Sequence, residues 1–221
     1  MADKFFEDWK VSKSAEGIKH SESFGDEGER ALFYLLKGFS RNFSGRMHIT
    51  NSALYVPLQN GGSAEIDEVM VHNTGVYVFE SKYFSGSISG KPLDRHWVKS
   101  SDTTVSVLNP ILQNRKHISA LSSYLNLPQR YFISFIVFKD GCDLTNAPKS
   151  CDSYVMTHFS DLKSVLMPML SKEFIFSDEE AELIYSKLIK ISDADKRTVR
   201  EHLKGIDDIK RIHREKKKYK P

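Results

Sequence analysis

The longest strongly apolar run of the chain lies at residues 131–138, where eight residues read YFISFIVF. A run of this length is typical of a β-strand buried on both faces, whereas a membrane-spanning helix needs ~20 apolar residues. The chain of 221 residues is 40% hydrophobic and 28% charged, which is ordinary for a globular protein. The run therefore predicts a buried strand in a globular fold and excludes a membrane span and a wholly disordered chain.

Apolar spacing predicts further strands and helices on both sides of this run. A helix is expected to begin near Gly25, because apolar residues recur at helical spacing after it. A second helix is expected from Asn109, since Asn is a preferred N-cap and Pro110 a preferred first helical residue. Strands are predicted at residues 47–50, 54–58, 66–71, 75–82 and 154–157. Short turns make the early strands antiparallel, so we expect an α/β fold with a mixed sheet flanked by helices.

The last third of the chain has a helical pattern. We predict a helical extension at residues 159–209, with one helix at residues 162–170. A capping box from Ser177 to Glu180 introduces the next helix, and a third is expected from about Asp193. These helices follow a domain that we place at residues 21–158.

The chain ends in a basic segment, residues 210–221. Between Lys210 and Lys220 seven basic residues stand against one acidic residue, a net charge of +6, which leaves −3 for the rest because the total is +3. Such a tail is common in nucleic-acid-binding proteins and also in solvated chain ends. Its candidate nucleic-acid contacts are Lys216, Lys217 and Lys218.

The N-terminal residues 1–20 show no clear period and are expected to form a loose arm. They lack the apolar core of a signal peptide. The two cysteines, Cys142 and Cys151, fit a reducing compartment and make no zinc site by themselves. We therefore expect a cytoplasmic protein in which the cysteines have no functional role.

Several common catalytic motifs are absent from the sequence. There is no GxxxxGK[ST] or GxGxxG loop to hold a phosphate, and no HExxH pair to hold zinc. The segment from Gly86 to Gly90 has the glycines of a nucleophile elbow, but Ile88 occupies the nucleophile's position. The chemistry must therefore come from another set of residues.

Two acidic residues and a lysine lie at the ends of two predicted strands. Asp67 stands at one end of the strand 66–71, and Glu80 and Lys82 continue the apolar face of the strand 75–82. If His72 opposes Gly75 across the turn, Asp67 and Glu80 become cross-strand neighbours with Cβ atoms ~5 Å apart. A three-residue turn ending at Gly75 would break that register.

Two carboxylates so close repel each other unless a cation lies between them. Oxygen ligands with bound waters favour Mg²⁺ or Mn²⁺. Lys82 would then orient an attacking water or stabilise a charged phosphate, which is the arrangement of metal-assisted phosphodiester hydrolysis. The alternative is a solvated salt bridge at the ends of the strands.

Two further residues are candidates for the same site. Glu29 lies on the apolar face of the first helix, where a carboxylate needs a partner or a metal, although Glu in a first turn also favours the helix dipole. Gln113 lies in the first turn of the helix that follows Asn109, on one stripe with His117. Its amide suits a phosphate or a water, and a plain surface glutamine is the alternative.

These residues belong to an ordered set of segments. The set comprises residues 25–30 (GDEGER), 64–71 (AEIDEVMV), 74–82 (TGVYVFESK), 84–86 (FSG), Trp97 and 109–113 (NPILQ). In this order and at these distances the segments resemble the NERD (nuclease-related) domain family, from about residue 20 to residue 140.

The resemblance implies a restriction-endonuclease-like fold of the PD-(D/E)XK type. By analogy Asp67 and Glu80 would bind the metal, Glu29 would complete the metal site, Lys82 would assist the attacking water and Gln113 would position a phosphate. Ser81 and Tyr83, where many members have an aromatic or small residue, leave these roles untouched.

We weigh three functions. The first is a Mg²⁺-dependent nuclease, acting on DNA rather than RNA in processing, repair or defence, and the complete set of charged site residues favours it. The second is a nucleic-acid-binding module that keeps the fold without cleavage. The third is an interaction subunit whose helices at residues 159–205 dock a partner or a second copy as a homodimer.

Overall fold

Three β-sheets and four α-helices make up the structure, a computed structural model that describes residues 27–40, 43–50, 53–58 and 62–192. The helices are α1 (Glu27–Phe39), α2 (Pro110–Leu125), α3 (Leu162–Leu170) and α4 (Asp178–Ser192). The strands are β1 (Met47–Ile49), β2 (Leu54–Pro57), β3 (Ser63–Ile66), β4 (Glu68–His72), β5 (Gly75–Lys82), β6 (Ser87–Ser89), β7 (His96–Ser100), β8 (Thr104–Leu108), β9 (Phe132–Phe138), β10 (Asp143–Asn146) and β11 (Val155–His158).

The central sheet has the strand order β1-β4-β5-β9-β11. The first three strands pair antiparallel, and β5, β9 and β11 pair parallel. The sheet is therefore mixed, and the expected α/β fold is confirmed. The apolar run forms β9 in the middle of the parallel part, after a short 3₁₀ turn at Gln129–Tyr131.

Helices cover both faces of this sheet. On one face α1 and α3 pack against the side chains of Met70, Tyr77 and Phe79. On the other face α2, α4 and the β2–β3 hairpin pack against Val69, Val76 and Val78. The predicted C-terminal helices α3 and α4 thus contribute to the same hydrophobic clusters as the rest of the fold.

Local sequence signals explain where the helices begin. The side chain of Asn109 accepts hydrogen bonds from the amides of Ile111 and Leu112, which is the N-cap predicted for α2. At α4 the Ser177 amide donates to Glu180 and the Glu180 amide donates to the Ser177 hydroxyl, so the predicted capping box is also confirmed.

The hairpin between β4 and β5 has the predicted register. His72 pairs with Gly75 and Glu68 pairs with Phe79. The two-residue turn depends on Gly75, whose φ is +152° and where a Cβ would come within 2.4 Å of the Ile133 side chain.

One predicted strand was wrong. Residues 66–71 do not form a single strand: Ile66 ends β3, which pairs only with β2, and Glu68 begins β4 of the central sheet. Asp67 lies in the bend between them, because the chain passes there from one sheet to another.

A second sheet, with the order β10-β6-β7-β8, extends from the carboxyl end of β5. Residues 84–90, which are rich in Ser and Gly, predict a short strand or loop, and β6 lies there, whereas β7, β8 and β10 were not predicted. Trp97 of β7 is fully buried beneath this sheet, and its Nε1 donates to the carbonyl oxygen of Lys91. Packing around Trp97 therefore fixes the β7–β8 hairpin on the body of the fold.

Three predictions fall outside the described residues: the N-terminal arm, the helix from Asp193 and the basic tail with Lys216, Lys217 and Lys218. The domain boundaries stay predictions as well. No helix in the described part of the chain is both long and apolar enough to cross a membrane. Cys142 and Cys151 are free thiols.

Candidate active site

The end of β5 carries the two charged residues of the predicted E-x-K pair. Glu80 is buried, with 1% of its surface exposed, and Lys82 is half-buried. Both lie on the face of the sheet that α2 covers, because their partners are side chains of α2. A buried carboxylate needs a compensating charge, and Nζ of Lys82 supplies it at 2.5 Å from Oε1 of Glu80.

Asp67 approaches the same point from the bend before β4. Its Oδ2 accepts a hydrogen bond of 2.8 Å from the backbone amide of Ser81, the residue between Glu80 and Lys82. The register that pairs Glu68 with Phe79 puts Asp67 opposite Glu80 if it is continued by one residue. The geometry thus brings Asp67 to the E-x-K segment.

Gln113 meets this segment from the first turn of α2. Nζ of Lys82 lies 3.3 Å from Oε1 of Gln113 and donates to it. The ammonium group of Lys82 is therefore held between a carboxylate on its own strand and an amide on the helix.

His117 lies one turn further along α2, where it is buried next to Glu80. Its Nδ1 is 3.3 Å from Oε2 of Glu80. Burial, followed by the positive charges of Lys82 and Lys116, lowers the pKa of His117 to about 4. The imidazole is therefore neutral at neutral pH, and Lys82 is the cation that balances Glu80.

Two further acidic residues, Glu68 and Glu29, form an acidic layer next to Asp67, and Glu68 lies on the face of the sheet opposite to Glu80. Glu68 is fully buried, and its Oε1 accepts a hydrogen bond of 2.5 Å from the hydroxyl of Thr50. Burial raises the pKa of Glu68 well above its usual value, and the charges of Asp67 and Glu29 raise it further. Glu68 is therefore a candidate for a protonated carboxyl group beside the site.

Glu29 occupies the first turn of α1, as predicted, and is half-buried. Its charge acts on Glu68 and on Tyr55, whose pKa is raised to about 12, mainly by burial and by its neighbour Glu65. The structure thus places Glu29 at the edge of the acidic layer that adjoins Asp67.

Asn114 fixes α2 against the two central strands. It is fully buried, and its Nδ2 donates to the carbonyl oxygen of Val78 on β5 and to that of Phe135 on β9, at 2.9 and 3.1 Å. Because Asn114 is anchored in this way, its neighbour Gln113 and the following His117 are held in register with the end of β5.

A cleft of about 420 Å³ opens next to Lys82. Its polar end is formed by Ser81, Lys82 and Gln113. Its walls are apolar, and they are formed by Tyr83, Phe84, Val107 and Leu108. The cleft therefore joins the candidate site to the β7–β8 hairpin.

The predicted site residues stand as follows. Asp67, Glu80, Lys82 and Gln113 meet at the carboxyl end of β5, and Glu29 lies by the adjoining acidic layer. Within the described part of the chain, no group of three His, Cys, Asp or Glu side chains is arranged as a metal-binding cluster. Asp67 and Glu80 are the two acidic residues of this set at the carboxyl end of β5.

Three residues near the site have no role in the predictions made from the sequence. Asn114 was detectable as a polar residue on the buried stripe of α2, between Ile111 and Ile118. His117 was noted only for its alignment with Gln113. Glu68 gave no signal, because nothing in two successive acidic residues shows which of them turns into the core.

Comparisons with known proteins find matches in the part of the chain that carries the candidate site. The family described as Nuclease-related domain (NERD) matches residues 24–139, more than half of the chain. An uncharacterized protein of Bacillus anthracis is 26% identical over 147 residues, which are 66% of this chain and 68% of that protein. No solved structure gives a significant match. The matched range contains all five residues predicted for the site.

Proposed function

Because the chain belongs to the nuclease-related domain family, we propose that it is a metal-dependent nuclease that hydrolyses phosphodiester bonds of DNA. The observation that supports this most strongly is the meeting of Asp67, Glu80, Lys82 and Gln113 at the end of β5. Two carboxylates can hold a metal ion that activates a water, and an ammonium group and a neutral amide can bind the phosphate, so the set suits metal-assisted phosphodiester hydrolysis.

The donor set fits a hard divalent cation. Mg²⁺ is usually held by one or two carboxylates, with waters and substrate phosphates completing the shell, so Asp67 and Glu80 suffice without a cluster of three. Glu29 is the proposed third acidic group. Mg²⁺ or Mn²⁺ bound there would supply a water of lowered pKa and positive charge next to the phosphate.

The protein's own residues have separate tasks in this proposal. Lys82, held between Glu80 and Gln113, presents a fixed positive charge that stabilises the negative charge growing on the phosphate. Gln113 orients Lys82 and donates through its amide nitrogen to a phosphate oxygen or a water. Asp67 is held by the Ser81 amide, so little reorganisation is needed when a substrate arrives.

The test is cleavage of a labelled DNA strand by the full chain with Mg²⁺ or Mn²⁺, and with a chelator. We expect cleavage only with metal and none for Asp67→Ala or Glu80→Ala. Lys82→Ala should lower the rate ~10²-fold, as loss of one electrostatic stabiliser typically does.

Glu173→Gln is the matched control, because it removes an exposed carboxylate outside the site and should leave the rate unchanged. Equal cleavage by the natural chain and by Asp67→Ala would show that the activity comes from a contaminant, and the proposal would fail.

One observation favours a second candidate, a nucleic-acid-binding module that does not cleave. Lys82 already balances the charge of Glu80 without a metal. In that case DNA binding would persist in the presence of chelator, Lys82→Ala would weaken it, and no divalent cation would produce cleavage.

A further inference from the structure

The cleft beside Lys82 has a composition that the proposed chemistry alone does not explain. Hydrolysis uses the polar end, with Lys82 and Gln113, but two aromatic and two aliphatic side chains form the rest of the lining. We propose that this apolar part binds the base of an unpaired nucleotide next to the scissile phosphate. This inference rests on the proposed function and names its substrate class: single strands and unpaired ends rather than closed duplex.

The size of the cleft supports one small occupant. Its volume of about 420 Å³ lies within the range of about 300–1,000 Å³ that is usual for pockets that take up a small molecule. In a closed duplex the bases are stacked and paired, so the outside of the helix offers phosphates and no free base to a concave apolar wall. An unpaired nucleotide offers both a phosphate to Lys82 and a base to the walls.

Charge complementarity supports a nucleic acid as the occupant. Nζ of Lys99 lies 4.7 Å from the centre of the Phe84 ring, and Nζ of Lys139 lies 4.8 Å from the centre of the Tyr83 ring. Lys99 thus lies over the ring of Phe84, which lines the cleft, in addition to Lys82 at its polar end, and Lys139 lies near the same edge of the sheet over Tyr83, whose ring also packs against Phe159. None of the lining residues is acidic. A strand whose phosphates pass Lys99 and Lys139 is favoured electrostatically.

The apolar wall on the β8 side is uncovered in the free protein. Leu108 is 56% exposed although it ends a strand of the second sheet. Its neighbour Val107 pairs with Trp97, whose burial holds the hairpin in place. A rigid wall with exposed apolar surface loses water contacts when a base covers it, without first having to become ordered.

The first test measures binding without cleavage, in the presence of chelator. A labelled short single strand and a blunt duplex of the same sequence are titrated with the full chain, followed by fluorescence anisotropy. We expect the single strand to bind about tenfold more tightly, because only it can place a base in the cleft. Equal affinity for both would overturn the inference.

Leu108→Thr is the informative variant, because it removes apolar surface, adds no charge and changes an exposed residue in a strand. It should weaken single-strand binding about fivefold and leave duplex binding unchanged. The matched control is Leu93→Thr, which changes a leucine that is 79% exposed and does not line the cleft. An equal loss for both DNA forms, or an equal effect of the control, would overturn the inference.

A cleavage assay separates this inference from the proposed function. With Mg²⁺, the single strand and a duplex with an unpaired end should be cut faster than the closed duplex. If every DNA form is cut equally fast, the nuclease function stands and the cleft inference fails. If nothing is cut but single-strand binding still depends on Leu108, the nuclease function fails and the cleft inference stands.

Discussion

The carboxylate of Asp67 accepts a hydrogen bond of 2.8 Å from the backbone amide of Ser81. The bond joins the bend before β4 to the segment between Glu80 and Lys82. Asp67 thus has two tasks that substitutions can separate: it is a structural acceptor for the β5 backbone, and it brings a negative charge to the segment that carries Glu80 and Lys82.

Asp67→Asn should raise the melting temperature of the metal-free protein. Asparagine keeps an oxygen that accepts from the Ser81 amide but removes a charge beside Glu80 and Glu68. Asp67→Ala loses the acceptor as well and should be less stable than Asp67→Asn by about 1–3 kcal/mol. Differential scanning fluorimetry measures both, and a clear loss of stability in Asp67→Asn would indicate a structural salt bridge instead.

Millimolar Mg²⁺ should stabilise the natural chain and leave Asp67→Asn unchanged. A ligand that binds only the folded state raises its stability by mass action. Thermal melts with increasing Mg²⁺, with Glu173→Gln as the control, test this independently of activity. The same shift in Asp67→Asn would place the bound cation elsewhere.

Lys82→Met should destabilise the fold because it leaves the buried Glu80 carboxylate without its cation. The expected loss is about 3 kcal/mol, typical of removing one partner of a buried ion pair. Adding Glu80→Gln to Lys82→Met should recover most of this loss, since the neutral amide no longer needs a counter-charge. Urea denaturation of the two single variants and the double variant gives the coupling. Additive losses would show that the two side chains do not stabilise each other.

Stability should fall in acid in a way that depends on His72. Its Nδ1 accepts from the Thr74 amide and its Nε2 lies 3.0 Å from the carbonyl oxygen of Ser44, which fits the neutral ring. Burial lowers the pKa of His72 below 6.5, so the unfolded chain binds a proton more readily than the folded one, and stability declines as the pH falls below about 7.

His72→Asn should therefore be less stable than the natural chain at pH 8. The difference between their free energies of unfolding should become smaller towards pH 5. Melting curves across this range measure the difference, and His96→Asn, on the exposed surface of β7, is the control. A difference that stays constant with pH would exclude His72 as the source.

The basic tail should increase the affinity of the protein for nucleic acid without changing the rate of DNA cleavage. Each phosphate contact adds ~0.9 to the slope of log affinity against log salt on duplex DNA. Removing residues 210–221, with their excess of basic residues, should flatten that slope by several units. The single-turnover rate at saturating DNA should change little. Identical slopes for the full and shortened chains would show that the tail does not contact nucleic acid.

The hairpin at the site was predictable because its information is local. The turn at Asn73 and Thr74 and the following glycine set the register, and strand alternation put Glu80 and Lys82 on one face. The caps of α2 and α4 were predictable for the same reason, because each depends on hydrogen bonds between residues no more than three positions apart.

The cleft was not predictable, because it depends on contacts between distant segments. Its walls combine residues after β5 with the end of β8, and β7 and β8 are short strands with mostly exposed side chains and a turn that lacks glycine. The break between β3 and β4 at Asp67 was not predicted for the same reason. The two strands differ in the sheet to which they belong, and this depends on pairing with distant strands.

Asn114 links the candidate site to the two middle strands of the central sheet. Its amide joins α2 to both β5 and β9, so moving this turn of α2 away from the end of β5 requires breaking the Asn114 hydrogen bonds in the middle of the central sheet. The slowest-exchanging backbone amides should therefore include those of β5 and α2, with opening energies near that of complete unfolding. Local melting at the site would have to open α2 and β5 together, so we expect a partner to act on the site through the loops around it rather than through the central sheet.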